Sequence, residues 1–332
     1  MSAAGPGART RPRGMALLAV LILVAMMAAL AAGALGRMRL STRLAGNALE
    51  GEQARMLAIG AIDAAALRVG DLVRASPARL TNAAGWIGRP VPVPLPGGEA
   101  VGRVTDGGNC FNLNSVVRGP PGGPLVANPQ GQAQLEGLMA ELGISQAAAR
   151  RVAASLADWI DSDDQPQPGG AERDTYARAA LPYAPPNGLI AERSELRAVN
   201  GVTPQIYAAL RPWVCALPGA ILSPLNVNTL MPEQAPLLAM LLPDLLSVPA
   251  ARQLIQRRPA QGWESATQFW STPPLLDFEP DVETLRQIEV RTRWFALGMR
   301  VRVGESELAA SALIDAQTQP ARIVARRFTE EE

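Results

Sequence analysis

Between Met15 and Ala75 the chain holds no proline, and its apolar pattern never breaks. From Met15 to Leu35 every residue is apolar or glycine. About 20 such residues suffice to cross a bilayer as a helix. Arg9, Arg11 and Arg13 precede the run, and the positive-inside rule keeps residues 1–14 cytoplasmic and sends the remainder across. Arg37, Arg39 and Arg43 follow, and the helical pattern continues past them. Leu40, Leu44, Leu49, Met56, Ile59, Ile62, Ala66, Val69 and Val73 recur mostly at three- and four-residue steps, with Arg55, Asp63, Arg68 and Asp71 between them. The spacing predicts one helix of roughly 60 residues, about 90 Å long at 1.5 Å per residue. Its first half suits lipid and its second half is amphipathic. Few globular domains need such an object, and a filament subunit does. A plain signal anchor and a secretory signal cut near Ala31-Ala32-Gly33 are the alternatives.

Composition removes much of the usual chemistry. The chain has 332 residues with 31 basic and 30 acidic side chains, a net charge of +1 that exerts no global pull on nucleic acid. Every basic residue is arginine, and histidine is absent. That excludes Ser-His and Cys-His nucleophile pairs, lysine Schiff bases and the commonest transition-metal ligand. Carboxylate-only catalysis is left open, but the expectation is a protein that is not an enzyme. Cys110 and Cys215 are the two cysteines. Without histidine they cannot complete a zinc site. Outside the cytoplasm they could form one disulfide; otherwise they are two buried thiols.

Beyond the helix, residues 76–108 are rich in proline and glycine, with P-V-P-V-P-L-P-G-G at 90–98 reading as an extended or looped connection. Residues 102–117 read as short strands with turns, and 119–129 as a second Pro/Gly linker. From Gln132 to about Arg286 the apolar spacing is helical, as in 135–142, 147–160 and 250–258. Residues 288–303, 307–316 and 322–328 have strand composition and suggest an antiparallel meander or hairpins. The simplest closure pairs early strands with late ones against the long helix, leaving the helical block as an insertion in the sheet.

Two motifs carry candidate chemistry. D-W-I-D-S-D-D-Q-P-Q-P-G-G-A-E-R-D (158–174) is dense in oxygen. Counted from Asp161, acids fall at positions 1, 3 and 12, Gln165 at 5 and the Gln167 carbonyl at 7, part of an EF-hand spacing. Pro166 at 6 and Pro168 at 8 depart from that motif. The loop still offers the six to eight oxygens calcium takes; the alternative is a solvated acidic loop with helix caps. As a glycosidase pair the carboxylates lack an aromatic platform beyond Trp159 and Tyr176. E-L-R-A-V-N-G-V-T-P-Q-I-Y-A-A-L (195–210) reads as a helix-hairpin-helix turning at Gly201, with a degraded echo at 245–255. That motif elsewhere holds DNA phosphates. Here Glu192 and Glu195 offset Arg193 and Arg197, so a packing role is favoured over DNA binding.

A basic leader ending in Gly14, followed by a hydrophobic helix that leaves the membrane, resembles the type IV pilin and pseudopilin class. That resemblance implies cleavage at Gly14–Met15 by a prepilin peptidase and methylation of Met15. The fifth residue after that cut is Ala19, where the class mostly has glutamate. A membrane-buried carboxylate is costly unless paired, and a subunit at a filament tip has no neighbour above to satisfy. This absence, with C-F-N-L-N-S-V (110–116), the acidic loop, S-E-L-R-A-V-N-G-V (194–202), V-C-A-L-P (214–218) and L-N-V-N-T (225–229), resembles the K-type minor pseudopilins of type II secretion systems. The implied fold is α+β: a pilin-like long N-terminal helix packed on a small antiparallel sheet, with a large all-α domain inserted in the sheet. The implied divisions are a leader 1–14, a transmembrane half-helix 15–36, amphipathic helix and first strands 37–120, an inserted helical domain 121–286, and C-terminal strands 287–332. The implied role is capping the tip of a periplasmic pseudopilus and initiating its assembly. The expected partners are the I- and J-type minor pseudopilins, the prepilin peptidase and the inner-membrane secretion platform, with no nucleic acid. The family resemblance also points to calcium in the helical domain, with Asp161, Asp163, Glu172 and Asp174 as ligands and Asp158 and Asp164 behind them. A minor pilin of a true type IV pilus and a membrane-anchored DNA-uptake protein are the rival readings.

Overall fold

The computed structural model describes residues 13–82 and 85–329. The expected leader therefore lies outside the described residues except for the backbone of its last two positions. Helix α1 runs Arg13–Ala75, 63 residues without a break. Residues 15–45 are exposed on every side, and the helix is long and apolar enough there to cross a membrane. Only the far half packs on protein. Ala54, Ala58, Ala61, Ile62, Ala66 and Val69 are buried at three- and four-residue intervals. The expected apolar stripe is thus corrected. Ile62, Ala66 and Val69 belong to the buried face, but Leu40, Leu44, Leu49 and Met56 are exposed. Four alanines make the contact because a short side chain lets the helix backbone lie close to the sheet.

That sheet is five-stranded and antiparallel in the order β1 (Val91–Leu95), β2 (Gly98–Asp106), β3 (Trp294–Val303), β4 (Ser306–Asp315) and β5 (Arg322–Thr329). Alternation sets its two faces. Phe295, Leu297, Met299, Val301 and Val303 of β3, with Ala310, Ala312 and Ile314 of β4, point at α1 and form one core with it. The segment expected to be an extended or looped connection is extended and holds β1. Pro92 and Pro94 are two apart, so both lack their N–H on the same side of the strand. In an edge strand that side faces away from β2, and the missing donors cost no ladder bond. They also blunt the edge against further pairing.

Strands β2 and β3 are neighbours, with Asp106 opposite Phe295, although almost 190 residues separate them in sequence. Those residues form the insertion, which has its own core. Its main helices are α2 (Pro129–Glu141), α3 (Gln146–Ile160), α4 (Pro204–Leu210) and α5 (Val248–Gln256). Proline opens α2 and α4, and Ser145, Thr203 and Ser247 cap α3, α4 and α5 by accepting backbone N–H bonds. Packing moves the expected boundaries. Phe111, Leu113, Val116 and Val117 belong to the insertion core, so it begins near residue 107 rather than 121. Phe111–Asn112 pairs with Val214–Cys215 and Leu225–Asn226 with Ile288–Glu289, so it ends near 290 rather than 286. The last strand group accordingly starts at Trp294, not at Ile288.

The position of the insertion follows from the direction of α1. The β3–β4 turn lies beside Glu50, whose Oε2 accepts from Glu305 N at 3.0 Å. The opposite end of the sheet lies beside Val73 and Arg74, which share a cavity with Asp106 and Trp294. Both chain crossings into the insertion are at that end. The insertion therefore sits beyond the far end of α1, away from the apolar half.

Candidate metal centre

Helix α3 ends on Ile160; its last turn carries Asp158, and the loop that follows carries Asp161, Asp163, Asp164 and Glu172. Asp158 is fully buried in its last turn. Its oxygens accept from Gln167 N at 3.2 Å, Gln167 Nε2 at 2.9 Å and Ala171 N at 2.7 Å. Asp158 therefore ties the loop to the helix that precedes it. Gly170 is required for this: a Cβ there would lie 1.9 Å from Asp158 Oδ2. Gln167 Oε1 in turn accepts from Gln132 Nε2 of α2 at 3.0 Å.

Asp161 and Glu172 are the loop's exceptional residues. They are 3% and 4% exposed, yet Asp161 Oδ1 and both carboxylate oxygens of Glu172 have no hydrogen-bond partner. One oxygen from each of Asp161, Asp163 and Glu172 lies within 4.8 Å of the others. Burial, then the charges of Asp163 and Asp158, pushes the Asp161 carboxyl up to about 7. Burial, then the neighbouring aspartates led by Asp158, pushes Glu172 up to about 7. Burial also raises Asp158. Buried carboxylate oxygens that face one another unpaired are costly, and a hard cation at their centre would offset both the desolvation cost and the repulsion. An all-oxygen donor set of this kind suits calcium or magnesium rather than a soft metal.

The other expected ligands differ from these two in exposure and in their partners. Asp163 is exposed and its Oδ1 also accepts from Gln165 N at 2.8 Å. Asp164 is exposed and accepts from Asn187 Nδ2 at 3.2 Å. Asp174 is exposed in the helical turn Arg173–Tyr176 and is not one of the three grouped carboxylates. Asn187 is a donor that the sequence reading missed. It adopts a positive φ of 47°, its Nδ2 bonds the Asp163 carbonyl at 3.0 Å, and its Oδ1 is buried without a partner. It comes from a loop more than 20 residues away, so no local spacing marks it.

Around this loop the insertion is held by asparagines. Asn114 Nδ2 donates to the carbonyls of Ile190 and Leu217 at 2.9 Å each, and its Oδ1 accepts from Ile190 N at 2.8 Å. Asn112 Oδ1 accepts from Leu217 N at 3.0 Å, and Asn228 both donates to and accepts from the Trp263 backbone. These residues staple irregular segments whose backbone groups would otherwise be unpaired. Cys110 and Cys215 form a disulfide, with Cα atoms 5.8 Å apart. The helix-hairpin-helix segment is a packing element. Gly201, at φ 85°, sits against Arg151 and Val152 of α3, and Asn200 N donates to Tyr176 Oη at 3.2 Å.

Comparison with known proteins agrees with this architecture. Two family models, both described as type II secretion system protein K, match residues 109–219 and 225–290. The type II secretion system protein K of Pectobacterium carotovorum is 33% identical over 96% of this chain and 97% of its own. That of Klebsiella pneumoniae is 34% identical over the same shares. Among solved structures, a chain of the GspK-GspI-GspJ complex from the type 2 secretion system of enterotoxigenic Escherichia coli superposes with a TM-score of 0.74 at 28% identity. It covers 89% of this chain and 100% of that one. With near full-length relatives above 30% identity and the same long helix, small sheet and helical insertion, the chain belongs to the type II secretion system protein K family of minor pseudopilins.

Proposed function

We propose that this chain is a non-enzymatic pseudopilin that caps the tip of the pseudopilus and helps start its assembly for protein export. The observation that carries this reading is the place of the insertion. Pseudopilus subunits stack through their long helices, and a subunit added above this one would approach past the far end of α1. The insertion fills that space, while the exposed near half of α1 stays free for subunits below. The solved complex similar to this chain contains GspI and GspJ, and the I- and J-type pseudopilins are the partners we assign here. In the same reading α1 anchors the chain once in the inner membrane with the bulk periplasmic. The prepilin peptidase cuts at Gly14–Met15, Met15 is methylated, and the secretion platform receives the processed subunit. Calcium occupies the loop, held by Asp161, Asp163 and Glu172, with Asn187 tied to the same loop through the Asp163 carbonyl.

The test is immunogold labelling of this chain on pseudopili assembled from the whole system. Gold at a single end of each filament is expected. Gold spaced along the shaft would sink the capping role. Mass spectrometry of the chain recovered from membranes, with and without the peptidase, reports separately whether N-methylated Met15 is its first residue.

A further inference from the structure

The sheet has two faces, and α1 covers only one. Where the other face meets the insertion it forms a cleft of about 580 Å³, within the range of ligand sites. Short side chains, Ala296 of β3 and Ser311 of β4, are part of its floor. Its walls carry Arg193, Arg197, Arg211 and Arg327, against one carboxylate, Glu192.

This concentration is local, since the whole chain has a net charge of only +1. It is also unneutralised. Glu192 is paired with Arg327, which additionally donates to the Ala191 carbonyl, so this pair fastens β5 to the insertion. Glu195 is turned away and accepts from the backbone N–H groups of Ala191 and Glu192 at 2.9 and 2.8 Å. Arg197 lies over the Tyr207 ring at 5.7 Å, which orients its guanidinium. Arg193 Nη1 donates to the Arg211 carbonyl at 3.4 Å. Among the described residues no carboxylate pairs with Arg193, Arg197 or Arg211. Sequence spacing hid this site, because Arg211 and Arg327 join Arg193 and Arg197 only through the fold.

We infer that this cleft binds an acidic polypeptide segment of a partner protein. Guanidinium groups pair with carboxylates through two parallel hydrogen bonds. Three that no carboxylate among the described residues neutralises suit several carboxylates rather than one small anion. Duplex DNA fits less well. The hairpin turn whose amides would grip phosphate packs on α3 at Gly201, while the cleft lies at the opposite end of α4, beside Tyr207 and Arg211.

The experiment uses the full chain in detergent with calcium, and fluorescence anisotropy of a labelled oligoglutamate peptide. Oligolysine and a short DNA duplex are run in parallel. Oligoglutamate is expected to bind, to weaken as salt rises, and to lose on the order of tenfold in affinity in R197E/R211E. Both arginines are exposed, and R197Q/R211Q, with a smaller charge change, should show a lesser loss in the same direction. R257E/R286E, the same charge change on other exposed arginines, should leave binding unaltered. The inference is overturned if oligoglutamate does not bind or if both double variants weaken it equally. Tighter binding of the duplex, abolished by R197E/R211E, would also overturn it and give the cleft to nucleic acid.

Discussion

Asp161 and Glu172 show what a single residue can disclose. A carboxylate 3% or 4% exposed with unpaired oxygens is a cost to the fold unless something else sits among those oxygens. Asp161→Asn and Glu172→Gln should therefore have opposite effects on the two states of the loop. Partners one shell removed from a metal already account for about 10–100-fold in affinity, so each substitution should lower calcium affinity by more than about 100-fold, read by titration calorimetry. In excess chelator the same substitutions should raise the unfolding midpoint, because they remove a buried charge. A variant less stable than the parent in chelator would show that no cation is needed to offset these groups. Asp106, at the junction, makes a second case. Its carboxylate accepts from Thr229 Oγ1 at 2.6 Å, from Thr292 Oγ1, and from Gly108 N at 3.0 Å, yet burial pushes it up to about 6. A carboxyl raised above its unfolded value of 3.8 favours the folded state most below that value, and this contribution is lost as pH rises through about 6. Asp106→Asn should thus gain on the parent in melting temperature across the window from pH 3.8 to about 6, the two values that bound the loss. A constant difference across it would refute the assignment.

At the scale of elements, the sequence announced the length of α1 but not its working face. An unbroken proline-free run and charges at helical spacing suffice for the former. The latter was obscured because leucine and methionine normally mark a buried stripe, whereas here they face outward and alanines face the sheet. Close approach, not apolar bulk, governs that contact. Ala58 is fully buried between α1 and the sheet. Ala58→Leu should force the two apart and cost about 1–3 kcal/mol, measured by denaturant unfolding of the detergent-solubilised chain, whereas Leu49→Ala should be near neutral to the isolated chain's stability. Strand β1 was legible only as extended or looped chain, because prolines usually argue against a paired strand and only an edge position tolerates two of them. The terminal strands were legible because two-residue alternation survives in β3 and β4 almost without exception.

At the scale of the whole molecule there are two cores joined at one end of the sheet. The order helix, strands, helices, strands announced the insertion. Its edges and its asparagine staples were not legible, since they depend on pairings between residues about 100 apart, such as Asn112 with Leu217. The disulfide belongs wholly to one side of this division. Cys110 and Cys215 close a loop of 105 residues inside the insertion, where chain entropy assigns such a link about 4–5 kcal/mol. If the cores unfold separately, Cys110→Ser/Cys215→Ser should lower only the insertion's calorimetric transition and leave that of α1 and the sheet in place. Limited proteolysis would then cut first within residues 120–290 while the final strands stay protected. The junction argues for partial coupling. Asn226 Nδ2 bonds Thr292 Oγ1 at 2.9 Å and the Leu80 carbonyl at 3.2 Å, and Gly107 N donates to the Trp294 carbonyl at 2.7 Å. A single transition displaced as a whole would mean that this network binds the two cores into one cooperative unit. Two transitions, with added calcium raising the lower one, would mean that the insertion is an independent fold carried on the helix and sheet, stabilised by its own disulfide and a bound ion.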